Sequence, residues 1–228
     1  MTTRVLIGLL LIAAVPAALA GDAQPRGPGV ESADYVWNAM NPEKLQALNT
    51  RGDPGQGKVA FEACQGCHRS SGAGRPDGSY PRLAGQHATV LIKQMTDIRA
   101  GYRDNWKMYP FVDSHVLTTQ GIADIAAYLQ NLPVAPDHGI GPGRDVARAR
   151  ELYDRDCRSC HGEQGLGDGP KFFPRLAGQH YEYLLRTSRA IRDGERRNSN
   201  PEMMKAVKGY SDADLEAVND YISRLPTP

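Results

Sequence analysis

Seven consecutive residues occur twice in this 228-residue chain, Pro81-Arg82-Leu83-Ala84-Gly85-Gln86-His87 and Pro174-Arg175-Leu176-Ala177-Gly178-Gln179-His180, 93 positions apart. The same offset carries Cys64-Gln65-Gly66-Cys67-His68 onto Cys157-Arg158-Ser159-Cys160-His161, Gly101-x-Arg103-x-Asn105 onto Gly194-x-Arg196-x-Asn198, and Leu132-Pro133 onto Leu225-Pro226. The chain is therefore two copies of one unit. Two copies are too few for a solenoid, and a unit of roughly 90 residues is long enough to be a small domain. The units are set at residues 57–133 and 144–228. Residues 134–143 join them, a stretch broken by Pro136, Gly139, Gly141, Pro142 and Gly143.

Both units contain Cys-x-x-Cys-His, the attachment sequence of c-type haem. Two thiols three positions apart can add to the two vinyl groups of one porphyrin, and the adjacent imidazole is then held against the iron. A four-cysteine zinc site, a pair of redox dithiols or plain disulfides would each use the cysteines but leave a His after both pairs unexplained. The expectation is two covalently bound haem c groups, on Cys64 and Cys67 and on Cys157 and Cys160, with His68 and His161 as proximal ligands. Composition agrees. Aromatic residues are only 7% of the chain, beside 24 Gly and 16 Pro, and a buried porphyrin supplies the apolar interior such a sequence lacks.

Charge and the N-terminus narrow the setting. With 27 Lys+Arg against 26 Asp+Glu there is no basic surplus, which excludes a nucleic-acid binder. Residues 1–20 place Arg4 before an apolar run from Val5 to Ala14, then Pro16 and Ala18-Leu19-Ala20, the layout of a cleaved secretory signal peptide. Cleavage would remove Arg4 and leave a formally neutral exported protein. No second apolar run approaches spanning length.

The fold class expected is all-α. Residues 57–64 and 144–156 lead as helices into the two Cys-x-x-Cys-His motifs. Stretches carrying Leu91, Met95 and Ile98, or Leu184, Leu185 and Ile191, run as helices to Gly101 and Gly194. Ile122, Ile125 and Leu129, like Leu215, Val218 and Ile222, recur with i, i+3, i+7 spacing and define one face of a last helix in each unit. Ser211-Asp212-Ala213-Asp214 opens the second of these as a capping box, and no stretch sustains a period-2 strand pattern.

These motifs together resemble the dihaem cytochrome c4 family, exported bacterial electron carriers made of two class I cytochrome c domains. The resemblance rests on both Cys-x-x-Cys-His motifs, both Pro-Arg-Leu-Ala-Gly-Gln-His segments, the Gly-x-Arg-x-Asn stretches and the closing helices, over residues 57 to 226. It implies tandem small helical bundles, each around one covalently attached haem, related by a pseudo-twofold with the haems near their interface. In the first unit Met108-Tyr109-Pro110 is similar to the family's Met-x-Pro loop, which makes Met108 the distal ligand ahead of His115. In the second, family spacing to the Ser before the last helix favours Met203 over Met204. The 93 offset pairs Met108 with Pro201, so the two loops reach their irons along different paths. Met95 is read as core.

The resemblance also makes Pro81 and Pro174 the carbonyls that accept the proximal His proton. Arg82 and Arg175 either pair with haem propionates or are solvated. His87 and His180 are expected at the surface or as helix caps rather than as iron ligands, since His68 and His161 hold the better-specified place. Residues 21–56, with Tyr35, Trp37 and Met40, exceed what the family needs, and three roles stay open for them: covering a domain face, docking a partner, or a flexible arm.

The function expected is a carrier of single electrons between a respiratory or dehydrogenase donor and a terminal acceptor. Its partners are redox proteins, including membrane complexes reached by peripheral association. The alternatives are a dihaem subunit of a larger dehydrogenase and, through His115, a dihaem peroxidase. A thiolate-ligated catalytic haem is excluded, because attachment consumes all four cysteines.

Overall fold

A computed structural model describes residues 35–227; the signal-peptide assignment for residues 1–20 lies outside them, as does the first part of the 21–56 extension. Among the described residues the regular elements are helical, apart from one isolated antiparallel bridge between Asp168 and Phe173. The first copy contains α2 (Pro54–Ala60), a 3-10 turn (Phe61–Cys64), α3 (Gln65–His68), α4 (Ala88–Arg99), α5 (Tyr109–Val112) and α6 (Thr119–Gln130). Ahead of it stands α1 (Pro42–Asn49). The second copy repeats the pattern as α7 (Val146–Asp156), α8 (Arg158–His161), α9 (Tyr181–Arg192), α10 (Pro201–Val207) and α11 (Asp212–Ser223).

Local sequence accounts for the ends of these helices. Asp53 accepts hydrogen bonds from the amides of Gly55 and Gln56 at the start of α2, where Pro54 has no amide to satisfy. Thr118 caps α6 through the Gly121 amide, and Ser211 and Asp214 form the complete capping box of α11. The apolar faces point inward as the periodicity requires: Leu91, Met95 and Ile98 of α4 and Ile122, Ile125 and Leu129 of α6 fill the first core with Phe61. Leu152, Leu184, Leu215 and Ile222 fill the second with Met204. Among the described residues no helix is long and apolar enough to cross a membrane.

The repeated segments meet each other, and that corrects the role expected of His87 and His180. Neither side chain caps its helix. His87 Nε2 donates to the Leu166 carbonyl at 2.8 Å and His180 Nε2 to the Ala73 carbonyl at 2.8 Å, each in the other copy. The Gly139 amide donates to His180 Nδ1, which fixes the neutral tautomer in a fully buried site. The preceding glutamines complete the pattern. The amide of Arg175 donates to Gln86 Oε1 and Gln86 Nε2 to the Arg175 carbonyl, while Arg82 and Gln179 exchange the same pair of bonds. Two copies of one sequence thus bind through the same groups twice, as a self-complementary twofold contact must.

Residues 134–143 are pinned into this contact. Tyr181 donates its amide to the Gly139 carbonyl, Gly141 donates to Ser223 Oγ, and Gly143 to the Asp220 carboxylate.

The described part of the N-terminal extension crosses from one copy to the other. Tyr35 and Trp37 pack with the second core, whereas Ala47 of α1 lies in the first. Between them Lys44 is fully buried and donates to Asp97 of α4 at 2.5 Å. Asp97 also accepts from Lys93 at 2.5 Å and from Asn198 of the second copy at 2.8 Å. Of the three roles open to this segment, covering a domain face is the one its described residues adopt, and they cover both.

Candidate haem sites

Each Cys-x-x-Cys-His motif bends into a short helical turn that closes one helix and delivers the His inward. Cys64 ends the 3-10 turn after α2 and His68 ends α3; Cys157 caps α7 and His161 ends α8. His68 and His161 are buried, and each Nδ1 lies 3.0 Å from a proline carbonyl, Pro81 for the first and Pro174 for the second. Burial pushes both imidazoles below their ordinary pKa. The result is a neutral ring with Nδ1–H donated to a carbonyl and the Nε2 lone pair free, the form in which imidazole binds a metal. Tyr80 approaches the first ring and Phe173 the second, again 93 positions apart.

Two glycines that the sequence reading passed over make this geometry reachable. Gly74 and Gly167 have φ of +69° and +73°. A Cβ on Gly74 would lie 2.5 Å from the Pro81 carbonyl oxygen, and one on Gly167 would lie 2.5 Å from that of Pro174. Their amides donate to the carbonyls of His68 and His161. Their repetition at the 93 offset was the available signal. Gly167→Ala is expected to displace the Pro174 carbonyl from His161 and to destabilise the protein by about 1–3 kcal/mol, the usual cost of forcing a side chain into left-handed backbone. Guanidinium unfolding of the oxidised protein measures it, and an unchanged midpoint would show that the loop yields freely.

The methionines sort by burial. Met95 and Met204 are buried in the two cores. Met108, just before α5, and Met203, in α10, are each half-buried at the edge of the core of their own copy. Met203 and Met204 are neighbours on one helix, so their side chains leave it about 100° apart and only one of the two can enter the core. His115 is exposed.

Arg82 and Arg175 are not the freely solvated residues one reading allowed. Arg82 is buried and donates to the Ala135 carbonyl and to Asp137 of the linking segment. Arg175 is half-buried, and its Nε and Nη2, like Nε of Arg82, are buried without a hydrogen-bond partner. Burial lowers the pKa of both guanidiniums. Orphaned donors on buried cations suit an anionic ligand group such as a haem propionate.

The cysteines are not joined in disulfides. Burial, with Cys67 adjacent, raises Cys64 to about 11, and burial, with Asp156 adjacent, raises Cys157 to about 12. Both are neutral thiols in this setting. Among the described residues no group of three or more His, Cys, Asp or Glu side chains could hold a metal ion, so the zinc alternative has no site there.

Comparison with known proteins agrees with this geometry. The Cytochrome c family model matches twice, at residues 55–133 and 146–226. Cytochrome c4 of Pseudomonas aeruginosa is 31% identical over 182 residues, covering 76% of this chain and 89% of that protein. A thiosulfate dehydrogenase electron acceptor of Stutzerimonas stutzeri is 33% identical over 182 residues, covering 75% of this chain and 82% of its own length. The crystal structure of reduced recombinant cytochrome c4 from Pseudomonas stutzeri superposes with a TM-score of 0.65 and 28% identity, over 77% of this chain and all of that one. Two class I domains, each with one covalently bound haem c at its Cys-x-x-Cys-His sequence, make this chain a dihaem electron carrier, and it belongs to the cytochrome c4 family.

Proposed function

We propose that this carrier works in the bacterial periplasm with His68 and Met108 as the axial ligands of the first iron and His161 and Met203 as those of the second. The observation that carries the reading is the repeated pairing of a buried neutral His with a proline carbonyl, in a copy that also offers one half-buried methionine outside the core. When bound, each haem supplies one-electron chemistry. The protein does the rest. Pro81 and Pro174 hold the proximal imidazoles and raise their basicity, while the thioethers of Met108 and Met203 favour the ferrous state. A His and a Met at each site would leave no open position for a substrate and would keep the iron's surroundings alike in both oxidation states. Arg82 and Arg175 neutralise propionates at the contact between the copies.

Electrons reach the protein from a respiratory or dehydrogenase donor and leave to a terminal acceptor. The relative described as a thiosulfate dehydrogenase electron acceptor supports a dehydrogenase as donor. Docking is favoured at the first domain, where Trp106 is 80% exposed and Tyr109, Phe111 and Val116 are exposed within the segment that carries Met108. The corresponding positions of the second copy are Ser199, Glu202, Met204 and Gly209, with no aromatic among them. The same surface supports the second reading, a subunit held permanently in a dehydrogenase complex. Mass and optical spectra of the exported protein test the proposal. The mass should equal the chain without residues 1–20 plus two covalent haems, and the ferric spectrum should show the far-red methionine band at both sites. A high-spin ferric spectrum at rest, or a retained leader, would overturn it.

A further inference from the structure

The N-terminal segment does more than join two cores, because its anchors fall on the chain segments that present both methionines. In the second domain, the Tyr35 hydroxyl donates to the Ser199 carbonyl at 2.8 Å and the Val36 amide donates to the Arg197 carbonyl at 3.0 Å. Ser199 directly precedes Asn200, whose side chain caps α10, and Met203 lies in the first turn of that helix. In the first domain, Glu43 of α1 pairs with Arg99 of α4. The same guanidinium donates to the carbonyls of Val112 and Leu117, which bracket the loop between α5 and α6, just after Met108. Glu43 also accepts from Thr119 at the start of α6. One stretch of chain lying outside both matched cytochrome regions therefore fixes the approach to two distant ligands.

We propose that residues 35–49 are a positioning strap for the two distal loops, with Tyr35 holding the Met203 segment and Glu43, through Arg99, holding the Met108 segment. The inference rests on the assignment of Met108 and Met203 as distal ligands. A loop that is tied down closes on its iron more completely, so an external ligand competes less well for the sixth position. Tyr35 keeps the second haem methionine-ligated; Glu43 does so for the first.

Imidazole titration of the full-length ferric protein reads this directly, because imidazole binds only where methionine has left. Domains are separated by background: with Met108→Ala the remaining far-red band belongs to the second haem, and with Met203→Ala to the first. Tyr35→Phe keeps the ring in the core and removes one hydrogen bond, so in the Met108→Ala background it should raise imidazole affinity at the banded haem about fivefold, the factor such a bond carries. In the Met203→Ala background it should change nothing. Glu43→Gln should give the reverse. Unchanged affinity in both backgrounds, or equal changes in both, overturns the strap while the ligand assignment stands. Single methionine variants that leave the far-red band whole overturn the ligand assignment and the strap together.

Discussion

Replacing Met108 with Ala should remove half of the far-red methionine band and lower the potential of one haem by on the order of 0.2 V, a fraction of the roughly 0.8 V over which axial ligands move haem potentials. Met203→Ala should remove the other half. The size of the effect comes from the loss of a soft ligand that favours ferrous iron, with water or an added ligand taking its place. A two-step redox titration measures both haems in one sample, since only one step should move. Met204→Ala is the control with the opposite signature: its side chain is buried in the second core, so it should cost stability, about 2–5 kcal/mol for a methionine truncated in a core, and leave both bands in place. If His115→Ala removes a band instead of Met108→Ala, the first ligand is wrongly assigned.

Replacing Asp97 with Asn should destabilise the protein by about 3–5 kcal/mol, because removing one partner of a buried ion cluster strands the others. Asp97 is the shared counter-charge of Lys44 and Lys93, all three are buried, and the cluster reaches Asn198 in the second domain. At roughly 2–4 °C per kcal/mol for a protein of this size, the melting temperature should fall by about 10 °C. The loss should also depend on pH. Burial already lowers Lys93 to about 7, against the pull of Asp97, and removing that carboxylate depresses it further. A folded-state amine with a lowered pKa binds fewer protons than the unfolded chain, so stability falls as pH drops below the ordinary 10.5. The deficit of the variant should therefore be larger at pH 6 than at pH 9. Denaturant melts at the two pH values decide it. A loss below about 1 kcal/mol at both would mean that water reaches the cluster and screens it. Replacing Lys44, Lys93 and Asp97 together by apolar residues should recover most of the loss, since no charge is then left unpaired.

Much of the site was legible because its chemistry is local. Cys64, Cys67 and His68 lie within five residues, so their spacing states what they can hold, and the 93 offset states it twice. The helices α4, α6, α9 and α11 were legible for the same reason: an apolar stripe, a cap and a stop are all written within about a dozen residues. The methionines were less so. Met203 and Met204 have the same chemistry at adjacent positions, and only the packing of α10 separates the one in the core from the one at its edge.

What the sequence determined by itself is the number of units, their helical class, the two haems and the residues that attach them. What only the tertiary structure decided is how one copy holds the other. His87, His180, Gln86 and Gln179 repeat as plainly as the cysteines, yet their partners lie 79 to 107 positions away, and nothing in their own neighbourhood marks them as contacts rather than caps. Tyr35 meets Ser199 across 164 residues. Covalent spacing along a chain fixes what neighbouring side chains can bind together. Distant donors and acceptors find their partners only once the chain has folded, because burial makes each of them require one.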